Sequence, residues 1–177
     1  VKPIVVSMGD VAASGGYYIA CAADSIVANP TTITGSIGVF GMIPNMQSFY
    51  EKNLGITVDT VNTHKYADIG SLNRRLTNFE KNKIQENVEK TYDTFIGNVS
   101  QGRDLTKKEV DKIGQGRVWS GYHAKKIGLV DILGGLERAI KIAANLAGLD
   151  NYRTINLPKE KNTFEEFLKN MSSETSN

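Results

Sequence analysis

The sequence predicts an α/β fold in which short buried strands alternate with helices. Two observations predict it. Brief runs rich in β-branched residues recur along the chain, and the segments between them carry apolar residues at helical spacing. The composition agrees, because 40% of the 177 residues are apolar and 23% are charged, which is enough to form a core and excludes general disorder.

The first part of the chain predicts strands joined by small-residue turns. Residues 3–8 form an apolar, β-branched run typical of a buried strand, and a small-residue loop over 9–16 leads into a short apolar helix over 17–23. A second strand is predicted over 25–28, ending at the Asn29-Pro30 turn signal. Residues 31–41 hold three glycines among β-branched residues and predict a bent strand, loop and strand.

The middle of the chain predicts a short helix, a strand and a long helix. Helical spacing of apolar residues covers 44–54, with Gly55 placed to end the helix, and alternation over 56–61 predicts a half-buried strand. A polar loop follows. Thr77 and Glu80 form a capping-box pattern that predicts the start of a helix reaching about residue 99.

The last part predicts three further helices and three further strands. The predicted helices cover 106–113, 120–127 and 134–147, and the predicted strands cover 117–119, 129–132 and 152–157. A small amphipathic stripe then appears at Phe164, Phe167, Leu168 and Met171. We therefore expect one domain over residues 1–157 and a C-terminal amphipathic segment with a polar tail over 158–177.

Composition also excludes several function classes. The net charge of +2 is small and evenly spread, which does not favour nucleic-acid binding. One cysteine, Cys21, excludes an internal disulfide and a cysteine-based zinc site, and its alanine neighbours predict a small core residue. No apolar run is long enough to span a bilayer, and the start at Val1 predicts a fragment of a longer protein.

The segment with the clearest chemical content is Ala12-Ala-Ser-Gly-Gly-Tyr17. Ser14 lies directly after a predicted strand and before a predicted helix, where small neighbours permit a tight turn and close approach of a peptide. The free N–H groups of a helix start would stabilise an oxyanion there. This pattern suits a nucleophilic serine, but a serine that merely caps the helix gives the same pattern.

A nucleophilic serine needs a base, and the sequence leaves the choice open. His123 lies at a predicted helix start and His64 lies in the polar loop, and neither is spaced as part of a triad. Most lysines fall on charged helix faces. Lys65 differs, because it follows a predicted strand in a loop that could fold over the serine turn.

Several long segments together carry a resemblance to a known family. These are Val5-Val-Ser-Met-Gly-Asp-Val-Ala-Ala-Ser-Gly-Gly-Tyr-Tyr-Ile19, Ile26-Val-Ala-Asn-Pro30, Thr34-Gly-Ser-Ile-Gly-Val39, Gly116-Arg-Val-Trp-Ser-Gly121 and Ala124-Lys-Lys-Ile-Gly-Leu-Val-Asp131. In these segments the chain closely resembles the signal peptide peptidase A family, also called protease IV. The resemblance implies the ClpP/crotonase-like fold, a spiral of β-β-α units, here truncated at its N-terminus.

The resemblance also implies roles for individual residues. Ser14 matches the family nucleophile, Lys65 the general-base lysine of the short members, and Ser36 a serine that orients that lysine. Gly15 and Gly16 match the oxyanion and substrate-binding positions. ClpP takes its base from a histidine after the next strand, where this chain has Asn29-Pro30-Thr31, and this favours the lysine-dependent branch.

Other implications concern the substrate groove and the completeness of the site. Asp10, Val11 and Tyr17 are candidates for lining a peptide groove. In the family, a loop before the strand that starts here at Ile4 supplies most of the oxyanion hole, so we expect this stretch alone to be inactive. The long members hold two tandem copies of the fold, with the serine in the second copy and the lysine in the first. In that arrangement Lys65 would be a bystander.

The implied function is a serine endopeptidase that degrades residual signal peptides. The resemblance implies no cofactor and no metal, peptide substrates, a homo-oligomeric ring, and no nucleic-acid partner. It also implies an N-terminal anchor in the bacterial inner membrane, with this domain on the extracytoplasmic face. Two alternatives are a catalytically silent half that binds peptides or assembles the ring and, less favoured, an acyl-CoA enzyme of the crotonase group.

Overall fold

Six short strands pair into two three-stranded sheets in the part of the chain that the structure describes, residues 2–158 of a computed structural model. The strands are β1 (Val5–Met8), β2 (Val11–Ala13), β3 (Ser25–Ala28), β4 (Ile33–Gly35), β5 (Val118–Ser120) and β6 (Ile132–Leu133). The helices are α1 (Gly15–Ala20), α2 (Gln47–Phe49), α3 (Asn78–Arg103), α4 (Lys107–Ile113), α5 (Gly121–Lys126) and α6 (Leu136–Leu146). A π-helical turn, Tyr50–Leu54, continues α2.

The strands are arranged as stacked β-β units. β1 pairs in parallel with β3, and β2 pairs in parallel with β4, so each strand of the first unit lies beside its equivalent in the second. The sheet orders are β1-β3-β6 and β2-β4-β5, and α1 completes the first β-β-α unit. This confirms the predicted α/β class and its ClpP/crotonase-like spiral.

The core forms around β3 and the helices that cover it. All four residues of β3 are buried, as expected for a strand with neighbours on both edges and both faces covered. Cys21 is fully buried, which confirms its prediction as a core residue. Tyr17 is also fully buried, and its hydroxyl donates to the carbonyl oxygen of Leu129 at 2.9 Å. The prediction that Tyr17 lines a groove is therefore wrong.

Helix α3 is the longest element and begins where the sequence predicts. The side chain of Thr77 accepts a hydrogen bond from the N–H of Glu80, and the Glu80 carboxylate accepts one from the N–H of Thr77. At its other end, Arg103 pairs with Asp131, whose carboxylate also accepts the N–H of Ile26 at 2.7 Å. These contacts fasten α3 to β3.

An ion cluster of Asp68, Arg74 and Glu80 fixes the segment before α3. The Arg74 guanidinium donates to both Asp68 oxygens at 2.7 Å and to the two Glu80 oxygens at 2.9 and 2.5 Å. Glu80 has no exposed surface. We call these three residues the Arg74 cluster. A buried carboxylate is tolerated here because the guanidinium and the capping box satisfy its oxygens.

Several elements differ from their prediction. Residues 56–61 and 152–157 form no strand. A strand needs a partner strand for its backbone hydrogen bonds, and neither segment pairs with another strand among residues 2–158. Strand β2 lies within the predicted 9–16 loop, and only β4 forms within 31–41. The predicted 44–54 helix is reduced to α2 and the π-helical turn. The Phe164 stripe lies outside the described residues.

A close contact between α3 and α1 yields the first prediction. A Cβ added at Gly102 would lie 2.2 Å from the carbonyl oxygen of Cys21, whereas one at Gly97 would meet only the flexible Lys107 side chain at 3.3 Å. In the full-length protein, Gly102→Ala should lower the free energy of unfolding by about 2 kcal/mol or more through overpacking. Gly97→Ala, the matched control, should leave it unchanged or raise it by up to about 1 kcal/mol. Urea unfolding measures both, and equal effects of the two variants would contradict this packing.

The Arg74 cluster yields a prediction for pH. Hydrogen bonds from Arg74 hold the pKa values of Asp68 and Glu80 at about 2, below their ordinary values of 3.8 and 4.5. The stabilisation is therefore present above about pH 4.5 and is lost as pH falls toward 2, because the unfolded chain binds these protons first. The free energy of unfolding should fall less steeply between pH 5 and pH 2 in Arg74→Met than in the wild type. Lys107→Met removes the exposed partner of Asp93 and should keep the wild-type slope. An unchanged slope in Arg74→Met would refute the assignment.

Candidate active site

Two serines lie side by side where strands β2 and β4 end. Ala13, the last residue of β2, lies opposite Gly35, the last residue of β4. Ser14 and Ser36 follow directly, and neighbouring strands are about 4.8 Å apart. The N–H of Ser14 donates to the carbonyl oxygen of Gly35 at 2.9 Å, which fixes the start of the turn. The parallel register thus brings together two of the three predicted catalytic residues.

Ser14 has an unusual backbone. Its φ of 52° and ψ of −118° place a non-glycine residue in the left-handed half of the map, which costs about 1–3 kcal/mol and persists only where the surroundings enforce it. Ser14 occupies the N-cap position of α1, is exposed, and makes no side-chain capping hydrogen bond. The capping alternative therefore does not describe its side chain. The strand, sharp turn and helix are those of a nucleophile elbow, here without its G-x-S-x-G sequence.

Open space surrounds the two glycines after Ser14. A Cβ built at Gly15 or Gly16 would meet no atom within 4 Å, so packing within the described chain does not demand glycine at either position. The N–H groups at the start of a helix have no partner within that helix. An extended peptide can therefore approach these N–H groups closely.

Ser36 is held by a second strained turn. Its φ is 49°, and its N–H donates to the carbonyl oxygen of Arg117 at 2.8 Å. The preceding Gly35 has a φ of 75°, and a Cβ there would lie 2.8 Å from the Trp119 ring. Trp119 in turn donates from Nε1 to the Ile113 carbonyl at 3.0 Å. Strand β5 therefore supports the turn that presents Ser36.

Ser14 and Ser36 open into one cavity of about 500 Å³. Its other lining residues come from the segment after β4, from α3 and from the turn before β5. They are Gly38, Val39, Phe40, Gln85, Val88, Glu89, Tyr92, Gln115 and Gly116. The volume suits several residues of an extended peptide.

Helix α3 forms the wall of this cavity opposite the serines. Gln85, Val88, Glu89 and Tyr92 follow the i, i+3, i+4, i+7 spacing of one helix face. The Tyr92 hydroxyl donates to Asp111 at 2.7 Å and accepts the N–H of Gln115 at 3.2 Å, and burial raises the pKa of Tyr92. Apolar periodicity in the sequence places Val88 and Tyr92 on the core face of a helix. The polar side chains of Gln85 and Glu89 give no sequence signal of a cleft, so these two lining residues were missed.

The candidate bases lie elsewhere. Lys65 is exposed in the loop before α3, with its Nζ 5.4 Å from the ring centroid of Tyr66, and it does not line the cavity. His64 is exposed in the same loop, and Nδ1 of His123 lies 2.9 Å from Oγ of Ser120 at the start of α5. None of the eleven described lining residues is a lysine or histidine. The role of Lys65 stays a prediction.

Across positions 2–158, none of the helices combines the length and the apolar character that a bilayer span requires.

Comparisons with known proteins agree with this geometry. Residues 1–150 match the sequence profile described as Peptidase family S49. The chain is 44% identical over 151 residues to Protease 4 of Salmonella typhi, covering 85% of this chain and 24% of that protein. It is 38% identical to a putative signal peptide peptidase SppA of Enterococcus faecium, covering 78% of this chain and 40% of that protein.

A solved structure, a membrane-bound stomatin-specific protease in complex with a substrate peptide, matches at 12% identity and a TM-score of 0.46, covering 97% of this chain and 70% of that one. At this identity and TM-score the likeness carries no functional information. The chain spans about a quarter of the length of the Salmonella typhi relative and two fifths of the Enterococcus faecium relative. With 150 of its 177 residues matched by one profile, the chain belongs to peptidase family S49.

Proposed function

We propose that the protein is a serine endopeptidase with Ser14 as its nucleophile and Lys65 as its general base. The observation that carries the proposal is the backbone of Ser14, which is strained, exposed and open to the 500 Å³ cavity. A serine that served only to cap α1 would need neither the strain nor the cavity.

The chemistry follows from these positions. The Lys65 amine takes the hydroxyl proton as Oγ of Ser14 attacks the peptide carbonyl carbon, and the carbonyl oxygen becomes an oxyanion beside the Gly15 and Gly16 N–H groups. The intermediate collapses, the lysine returns the proton to the leaving amine, and Ser14 keeps the acyl group as an ester. Water, deprotonated by the same lysine, then attacks the ester and releases the second product.

Lys65 reaches the serine, in this proposal, from a neighbouring copy in a homo-oligomeric ring. Two observations support this. Lys65 is exposed and outside its own cavity, and none of the described residues that line the cavity is a lysine or a histidine. Long family members likewise place the serine and the lysine in different copies of the fold, but there both copies belong to one chain and the lysine of the serine-bearing copy is a bystander. Ser36, next to Ser14, would then accept a hydrogen bond from the incoming ammonium or amine and orient it.

The substrate class follows from the cavity and the family. Val39, Phe40 and Val88 offer apolar walls, so an extended peptide with small or apolar side chains fits the cavity. Residual signal peptides have that character, and a relative from Enterococcus faecium carries the name of a signal peptide peptidase. We place the domain on the extracytoplasmic face of the bacterial inner membrane, held there by an N-terminal anchor.

A catalytically silent half that only binds peptides is the second candidate, favoured by the position of Lys65 outside the cavity. Labelling with a fluorophosphonate, which phosphonylates activated serines and releases fluoride, separates the two. The full-length wild type should be labelled and Ser14→Ala should not. Ser120→Ala, which removes the cap of α5, should label like the wild type. Peptide binding by a wild type that resists labelling would support the silent half instead.

The origin of the base is tested by mixing variants. Ser14→Ala and Lys65→Ala in the full-length protein should each lose at least about 10²-fold in kcat, the usual contribution of a general base or more. Lys81→Ala, on the exposed face of α3, should keep wild-type activity. Co-assembly of the two inactive variants should restore about a quarter of the activity if copies mix at random, because one site then combines Ser14 and Lys65 from different chains.

Two outcomes of this experiment count against the proposal. A mixture that stays inactive would show that each copy must supply its own lysine. An active Lys65→Ala variant would show that the base is another group.

A further inference from the structure

The loop that carries Lys65 is a series of tight turns. The N–H of Ala67 donates to the His64 carbonyl at 3.1 Å, that of Ile69 to the Tyr66 carbonyl at 3.3 Å, and that of Ser71 to the Asp68 carbonyl at 2.9 Å. These bonds are local, so on their own they shape the loop without fixing its position relative to the rest of the fold.

Two contacts fix that position, and both reach the first turn of α3. Arg74 donates to both Asp68 oxygens at 2.7 Å while its other donors hold Glu80. The Tyr66 ring stacks on Phe79 with centroids 4.6 Å apart and planes 20° apart. The residue directly after Lys65 and the one three positions after it are therefore both attached to the start of α3.

Helix α3 is also the wall of the serine cavity. Glu80 is nine residues before Glu89, so the anchored end lies about 14 Å along the helix axis from that lining residue. One rigid element therefore relates the lysine loop to a serine cavity. If the loop rotated about its attachment to α3, the Lys65 amine would move relative to the serine cavity of its own chain and to those of neighbouring copies.

The chemistry of the Arg74 cluster is better suited to orienting the lysine loop than to stabilising the fold. A buried ion pair is often no more stabilising than apolar residues of the same shape, so its presence is weak evidence for a purely stabilising role. A guanidinium that binds one carboxylate through two parallel bonds fixes the angle of its partner as well as its distance. Asp68 is held in that two-bond arrangement.

We propose that Arg74, through its paired bonds to Asp68, is a positioning residue that sets the place of the Lys65 amine for catalysis. The inference rests on the proposed function, in which Lys65 is the base. Loss of the Asp68 bonds leaves the Ser14 cavity and its lining intact but leaves the lysine loop held to α3 by the Tyr66–Phe79 stacking alone, so that the loop can turn about that contact. Misplacement of a catalytic group by 1 Å can lower the rate by about 10²-fold.

The test compares two ways of weakening the start of α3 in the full-length protein. Asp68→Asn removes the charged link to the lysine loop and keeps the Arg74–Glu80 pair and the capping box. Thr77→Ala removes the Thr77 side chain that caps the helix and bonds Glu80 at 2.9 Å, and it leaves the link to Asp68. Both should lower the thermal midpoint, whereas only Asp68→Asn should lower kcat, by about 10- to 100-fold with KM nearly unchanged.

Two further variants complete the design. Asp93→Asn breaks an exposed carboxylate pair on α3 with Lys107 and should match the wild type in kcat. Arg74→Lys keeps the charge but loses the two-bond geometry, so its kcat should lie between those of Arg74→Met and the wild type.

The inference is overturned if Asp68→Asn and Thr77→Ala lose kcat in proportion to their loss of stability, or if neither changes kcat. Lys65→Ala, assayed beside them, separates this failure from that of the proposed function. An inactive Lys65→Ala with an active Asp68→Asn removes only the positioning role, whereas an active Lys65→Ala removes Lys65 as the base.

Discussion

The parallel register of β2 and β4 is the constraint from which the rest of the site follows. Because Ala13 lies opposite Gly35, the chain leaves both strands at the same level, and Ser14 and Ser36 turn away together. Each turn has a positive φ at a non-glycine residue, and each is held by a backbone hydrogen bond to a neighbouring strand or turn. The strand pairing that holds the strained backbone of Ser14 also sets the position of Ser36, so the fold itself presents both serines to the cavity.

Helix α3 connects three regions of the structure that the sequence alone does not show to be neighbours. It begins at the Arg74 cluster beside the lysine loop, its middle turns line the serine cavity, and its end is fastened to β3 through Arg103 and Asp131. A continuous helix keeps the distance between side chains at its two ends nearly constant, because its backbone hydrogen bonds resist bending. Through this helix the Arg74 cluster, in which Glu80 is buried and Asp68 and Arg74 are half-buried, is linked to a serine cavity that it does not touch.

Local signals predicted the parts of this structure that depend on neighbours in sequence. The capping box at Thr77 formed as predicted, and the helices predicted from residues 106 and 120 begin there, because each start is determined by a side-chain cap within a few residues. The strand predicted over 56–61 failed because alternation says nothing about whether a partner strand exists. The polar lining residues Gln85 and Glu89, and the position of Lys65 outside its own cavity, depend on how distant elements pack, which no local pattern records.

The left-handed backbone of Ser14 lowers the stability of the turn that presents its hydroxyl. Glycine adopts that conformation freely, so replacing the serine by glycine removes the hydroxyl and relieves the strain in one step. Alanine removes the hydroxyl but keeps the strain. A related chain that keeps this fold without using the hydroxyl is therefore expected to be more stable with glycine at this bend than with alanine.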